Sequence, residues 1–110
     1  MNKLPNLDKI VLPLRKFTEY ALNPDKEPNK ALVFQLALGY NIDNAEKLIE
    51  NIKSNLNKFP AKNKGDTEYG TLYEVIMDIA GENRKTAKVL TAWIDDKTNG
   101  EMRLVTVHVD

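Results

Sequence analysis

One histidine, His108, stands with Arg103 and Thr106 in the stretch RLVTVHVD, and two lysines, Lys26 and Lys30, lie in the corner LNPDKEPNK. These side chains can move a proton or hold an anion. Imidazole is the only side chain that titrates near neutrality without help, and guanidinium or ammonium groups stabilise developing negative charge. The rest of the inventory narrows the chemistry. There is no cysteine, which removes disulfides, thiol nucleophiles and thiolate metal sites. The sole serine, Ser54, lies in a helical pattern with no elbow motif around it. One histidine without cysteine leaves a zinc site short of ligands, and no EF-hand spacing occurs. A carboxylate-only magnesium site from Asp66, Glu68 and Glu74 is a weaker alternative, and no metal or cofactor is expected. A reaction that needs no protein nucleophile fits this inventory best. RNA cleavage is one such reaction, because the ribose 2′-hydroxyl is a nucleophile already present in the substrate. The protein then supplies a base, an acid and a cation. Those roles fall to His108, a carboxylate or a tyrosine, and Arg103 or a lysine.

Charge is distributed unevenly along the chain. The formal net charge is zero over 110 residues. Residues 1–65 nevertheless hold eleven Lys/Arg against seven Asp/Glu, and residues 66–110 hold five against nine. The positive excess gathers at Lys53, Lys58, Lys62 and Lys64, where a phosphate-bearing partner such as RNA could bind. The bland reading of these lysines is a solubilising surface. No apolar run approaches the roughly 20 residues of a membrane helix, and MNKLPNLDK lacks the apolar region of a signal peptide.

These residues need a scaffold. Residues 8–12 fit an edge strand or a packed terminus. Pro13 fits the first position of a helix carrying Leu14, Phe17, Tyr20 and Ala21, which must stop by Asn23 ahead of Pro24. NKALVFQLALG is apolar nearly all round, which predicts a central helix closed by Gly39. Asp43 and Glu46 resemble a capping box for a third helix with Ala45, Leu48, Ile49, Ile52 and Leu56 on one face. Residues 60–70 read as a loop. Beyond them the period becomes two: Tyr73, Val75, Met77 and Ile79 share a face, a second strand covers 85–94, and Asn99-Gly100 turns into a third strand over 102–109. Strict alternation in that last strand sets Met102, Leu104, Thr106 and His108 against Arg103, Val105, Val107 and Val109, with the valines facing the core. The expected fold is α+β in one domain, 1–110: a helical half (1–59), a loop (60–70) and a β-meander (71–110). Three N-terminal helices would pack on an antiparallel sheet of three to four strands.

KLPN at 3–6, FTEYALNP at 17–24, KALVFQLALG at 30–39, DTEYGTLYEV at 66–75, AWI at 92–94 and RLVTVHV at 103–109 occur in an order that resembles a small bacterial family of uncharacterised domains. The likeness spans nearly the whole chain, and its specificity lies in the order of short motifs. Members resemble C-terminal toxin modules of polymorphic and contact-dependent-inhibition (CdiA-type) systems and also occur in phage-derived proteins. The layout is similar at the fold level to the metal-independent ribonucleases grouped with barnase, EndoU, certain colicins and RelE.

That resemblance implies a toxin domain that cleaves RNA, with transfer RNA as substrate. It would act in the cytoplasm, possess a cognate immunity protein, and form the C-terminal part of a secreted or surface toxin. It points to the corner and the closing strand: Lys26, Lys30, Arg103 and Thr106. Relatives often carry a histidine at the corner, and Lys26 occupies its place here, while His108 is this sequence's own. Neutral charge and a single histidine favour a different class, a non-enzymatic module of phage or accessory origin that docks another protein.

Overall fold

The most regular helix shows how this fold is held. Ala45, Leu48, Ile49 and Ile52 recur at helical spacing and are all buried in a helix spanning Ala45–Asn55, which packs against the sheet. Its entry is a short 3₁₀ turn, Ile42–Asn44, capped by Asn41, whose side chain accepts from the Asp43 N–H while Asn44 accepts from the Asn41 N–H. The expected Asp43–Glu46 box is therefore replaced by an Asn41–Asn44 box two residues earlier.

The computed structural model describes residues 2–110. In chain order the elements are β1 (Ile10–Val11), α1 (Leu14–Lys16) running into a π-helical turn (Phe17–Ala21), α2 (Pro28–Leu38), α3 (Ala45–Asn55), β2 (Ala61–Thr67), β3 (Gly70–Ala80), β4 (Thr86–Asp96) and β5 (Met102–Val109). The sheet order is β1-β5-β4-β3-β2. Strands β2 to β5 form an antiparallel meander, and β1 lies parallel to β5. The class is α+β, as the sequence predicts. The sheet has five strands rather than three or four, and β1 precedes the helices, so the helices are not all N-terminal to it. No helix among the described residues is long and apolar enough to cross a membrane.

The extra strand β2 occupies most of the stretch read as a loop. Its residues are mainly exposed, so it carries no apolar signature, and hydrogen-bonded pairing with β3 makes it a strand. The turn between them is built by Thr67, whose Oγ1 accepts from the N–H groups of Tyr69 and Gly70. Lysines along an edge strand discourage pairing with another chain, which suits Lys62 and Lys64 here.

Helix α2 also departs from expectation. Ala31, Phe34 and Leu38 are buried, but Leu32, Val33 and Leu36 are exposed, Leu36 at 64%. It flanks β5 and β4 instead of occupying the centre. Its end is as predicted: Gly39 adopts φ 72°, its N–H reaches the Gln35 carbonyl at 3.0 Å, and Tyr40 N–H reaches Phe34. Tyr40 then turns inward, donating to the Ala80 carbonyl, while Asn51 of α3 donates to the same carbonyl and to the Tyr40 hydroxyl. Gly81 lets the β3–β4 turn meet the α2 end, since a Cβ there would lie 2.3 Å from the Leu38 carbonyl oxygen. Across the same end, Lys47 meets Glu82 at 2.9 Å, and that hydrogen bond raises the lysine ammonium above its ordinary pKa.

The core lies between the helices and one face of the sheet. Val75, Met77 and Ile79 of β3, Val89 and Trp93 of β4, and Leu104 and Val107 of β5 are buried in one cluster with side chains from the three helices. Thr91 is the buried polar residue of this core; its hydroxyl donates to the Val75 carbonyl and accepts from the Trp93 indole. Thr91→Val keeps the shape but strands both partners. A loss of about 1–3 kcal/mol is expected, read as a lower urea midpoint with an unchanged slope.

Candidate functional site

Strand β5 positions most of the candidate groups, and a single extra residue sets their directions. The β4–β5 register runs Trp93↔Leu104 and then Ala92↔Thr106, which leaves Val105 as a bulge. Alternation is thereby reset within the strand. Met102 and Leu104 face the core before the bulge, and Val107 is buried after it, with Val109 partly buried against the same core. The expected two-face pattern therefore needs correction: Met102 and Leu104 do not share a face with Thr106 and His108, and Val105 is exposed rather than core-facing. Thr106 and His108 lie on the outer face, as expected. Arg103 lies there too, paired opposite Ile94 and joined in an ion pair to Asp96.

The outer edge of β5 faces α1, the π-helical turn and α2. Lys30, in the first turn of α2, donates from Nζ to Thr106 Oγ1 at 3.2 Å, and Lys16, closing α1, donates to the Val105 carbonyl at 3.2 Å. Between them lies a cavity of about 140 Å³ walled by Val105, Thr106 and Val107 on one side and by Lys16, Tyr20, Glu27 and Lys30 on the other. That is far more than the roughly 10–15 Å³ that a single water needs. Lys16, Lys30, Glu27 and Tyr20 thus line one strand edge.

Local structure explains each placement. The π-helical turn, closed by the Leu22 N–H on the Phe17 carbonyl at 2.8 Å, buries Phe17 and Ala21 and leaves Tyr20 half-exposed beside the cavity. The expectation that Leu14 and Tyr20 share the buried face therefore fails. In the corner, Asn23 is the organiser: its side chain accepts from the Asp25 N–H, and its carbonyl accepts from Lys26 and Glu27. That turn delivers Glu27 to the head of α2, where Pro28 fixes the first helical residue.

The candidates named from sequence separate under this geometry. Lys30 and Thr106 come together in the cavity. His108 sits beyond Lys30, in a more open hollow with Asn29, Val33 and Val109. Arg103 is engaged by Asp96, and Lys26 is exposed on the turn, outside the cavity wall. The lysine patch is not gathered: Lys53 lies in a groove with Asp8 and Ile10 beside β1 and approaches Glu50 at 3.8 Å, whereas Lys62 and Lys64 ride β2 at the opposite edge of the sheet. Lys58 is exposed at the end of the 3₁₀ turn that follows α3. Among the described residues no three His, Asp or Glu side chains are grouped to hold a metal ion, Asp66, Glu68 and Glu74 included. Sequence reasoning missed Lys16, Tyr20 and Glu27. The available signal was Lys16 and Tyr20 at i and i+4 on the first helix, one residue pair facing one way.

This constellation belongs to a small α+β domain whose cavity opens along a sheet edge. Residues 3–110 match the family described as Domain of unknown function (DUF6883), and the chain belongs to it. No curated protein and no solved structure matches it.

The bulge is testable without reference to activity. Deleting Val105 forces one uninterrupted alternation, which turns half of β5 away from the core. Loss of cooperative melting and of the Trp93 near-ultraviolet signal is expected. Val105→Thr keeps the extra residue exposed and should shift stability by no more than about 0.5 kcal/mol.

Proposed function

We propose that this domain is a bacterial toxin module that cleaves RNA by 2′-hydroxyl attack, with transfer RNA as its substrate. It acts in the cytoplasm of the cell it enters and is held in check by a cognate immunity protein. The observation that carries this reading is the convergence of Lys16, Lys30, Glu27 and Tyr20 on the Thr106 edge of β5. In this reading the Glu27 carboxylate takes the proton of the 2′-hydroxyl as that oxygen bonds to phosphorus. The Tyr20 hydroxyl protonates the departing 5′ oxygen, leaving a 2′,3′-cyclic phosphate. Lys16 and Lys30 stabilise the charge gathering on the phosphoryl oxygens. His108, on the far side of Lys30, meets the neighbouring nucleotide, and Lys53, Lys58, Lys62 and Lys64 attract the RNA backbone at longer range.

A second reading, a docking module without catalysis, has support in α2, where Leu32 and Leu36 are exposed at 55% and 64%. Inducible expression in bacteria distinguishes the two. The nuclease reading expects arrested growth and transfer-RNA fragments bearing cyclic phosphate ends; normal growth with intact RNA sinks it. In purified protein, Glu27→Gln should slow cleavage by about 10²–10⁴ and Lys30→Met by about 10²–10³. His108→Ala should cost less than either.

A further inference from the structure

The cavity has a main-chain wall as well as charged side chains. Strand β1 covers the outer edge of β5 only at Met102 and Arg103, so among the described residues no strand pairs with that edge farther along. The direction of the backbone groups there follows from the ladder. The Asp110 N–H bonds the Lys88 carbonyl at 2.8 Å, and Val109 sits opposite Val89. In an antiparallel pair the hydrogen-bonded residues alternate. His108 and Thr106 therefore turn their backbone groups toward β4, and Val107 turns its N–H and carbonyl to the open edge. The Val105 carbonyl emerges on that same edge, where Lys16 binds it.

We propose that this edge seats one oxygen of a phosphodiester, which accepts from the Val107 N–H and from the ammonium groups of Lys16 and Lys30. A free strand edge offers such a donor at no conformational cost, because the backbone is already fixed by β4. The charge around the seat also selects the ligand. Two ammonium groups and the Glu27 carboxylate sum to a single positive charge, which matches the one negative charge of an internal phosphodiester. A terminal phosphate or inorganic phosphate, with close to two charges at neutral pH, meets the Glu27 carboxylate without a cation to balance it. The seat accordingly prefers internal linkages to chain ends and to mononucleotides. This deepens the nuclease reading and rests on it for the identity of the polymer.

Amide chemical shifts in an NMR titration test the proposal, with three probes: thymidylyl-(3′→5′)-deoxyadenosine, which has a diester but no 2′-hydroxyl to react; the same dinucleotide carrying a 5′-phosphate; and inorganic phosphate. The expected result is a saturable shift of the Val107 amide with the first probe and weaker binding of inorganic phosphate. Lys30→Gln should weaken the diester roughly tenfold or more, the loss of a charge-assisted hydrogen bond. Val107→Pro removes the donor, and proline is tolerated where the N–H points off an edge strand. A folded Val107→Pro protein should lose diester binding; where that variant unfolds, the wild-type Val107 shift decides. A Val107 amide that stays still while RNA is cleaved overturns the seat and leaves the nuclease reading intact. A shifted Val107 amide without RNA cleavage keeps the seat and removes the nuclease. Tighter binding of inorganic phosphate than of the diester overturns the selectivity.

Discussion

The organisation of this domain depends on how little of the outer edge of β5 is paired. Two rungs with β1 anchor the N-terminal segment, and beyond them no strand among the described residues pairs with the edge. An unpaired strand edge is ordinarily a hazard, a row of donors and acceptors open to other chains. Here α1, the π-helical turn and α2 stand alongside it, and Lys16 occupies the Val105 carbonyl. The helices shield the edge without zipping onto it, and the space left between is the cavity. A longer β1 would close that space, and without the helices it would be flat solvent.

The bulge at Val105 gives the same strand two duties. Before it, alternate residues supply the core beneath β4; after it, alternate residues again supply the core, in the opposite phase. Without the reset, either the hydrophobic cluster would lose Met102 and Leu104, or Thr106 would point inward and Lys30 would lose its partner. Core packing and cavity chemistry are thus settled by one inserted residue, as bulges commonly do beside functional sites.

Elements whose pattern and burial agree were legible in the sequence. Helix α3 and strands β3 and β4 have apolar periods that match the faces they bury, and Gly39 marks a helix end; β5 was legible as a strand, but its bulge was not. Strand β2 was not legible, because an exposed edge strand has no need of apolar residues, and its charged, glycine-containing sequence reads as a loop. Helix α2 misled for the opposite reason: Leu32, Val33 and Leu36 suggested burial on every side, and the fold buries only one side. Of the candidate site, Lys30 and Thr106 could be named from residue type and order. Of their neighbours, Lys16 and Tyr20 left only an i, i+4 spacing and Glu27 left no signal, since their meeting depends on a π-helical turn and an Asn23-centred corner. Neither device has a periodic signature.

The pairing of β1 with β5 joins the first strand of the chain to the last strand of the meander, with every other strand and helices α1, α2 and α3 in between. Such a contact closes a loop of nearly the whole domain, and contacts of that separation form late and slowly. On a ribosome, β5 is the final strand to emerge, so the cavity has no far wall until synthesis of the domain is almost done. A chain still being made would carry Lys16, Glu27 and Lys30 without the β5 edge that they face. The residues that line the cavity would thus come together only when the last strand docks.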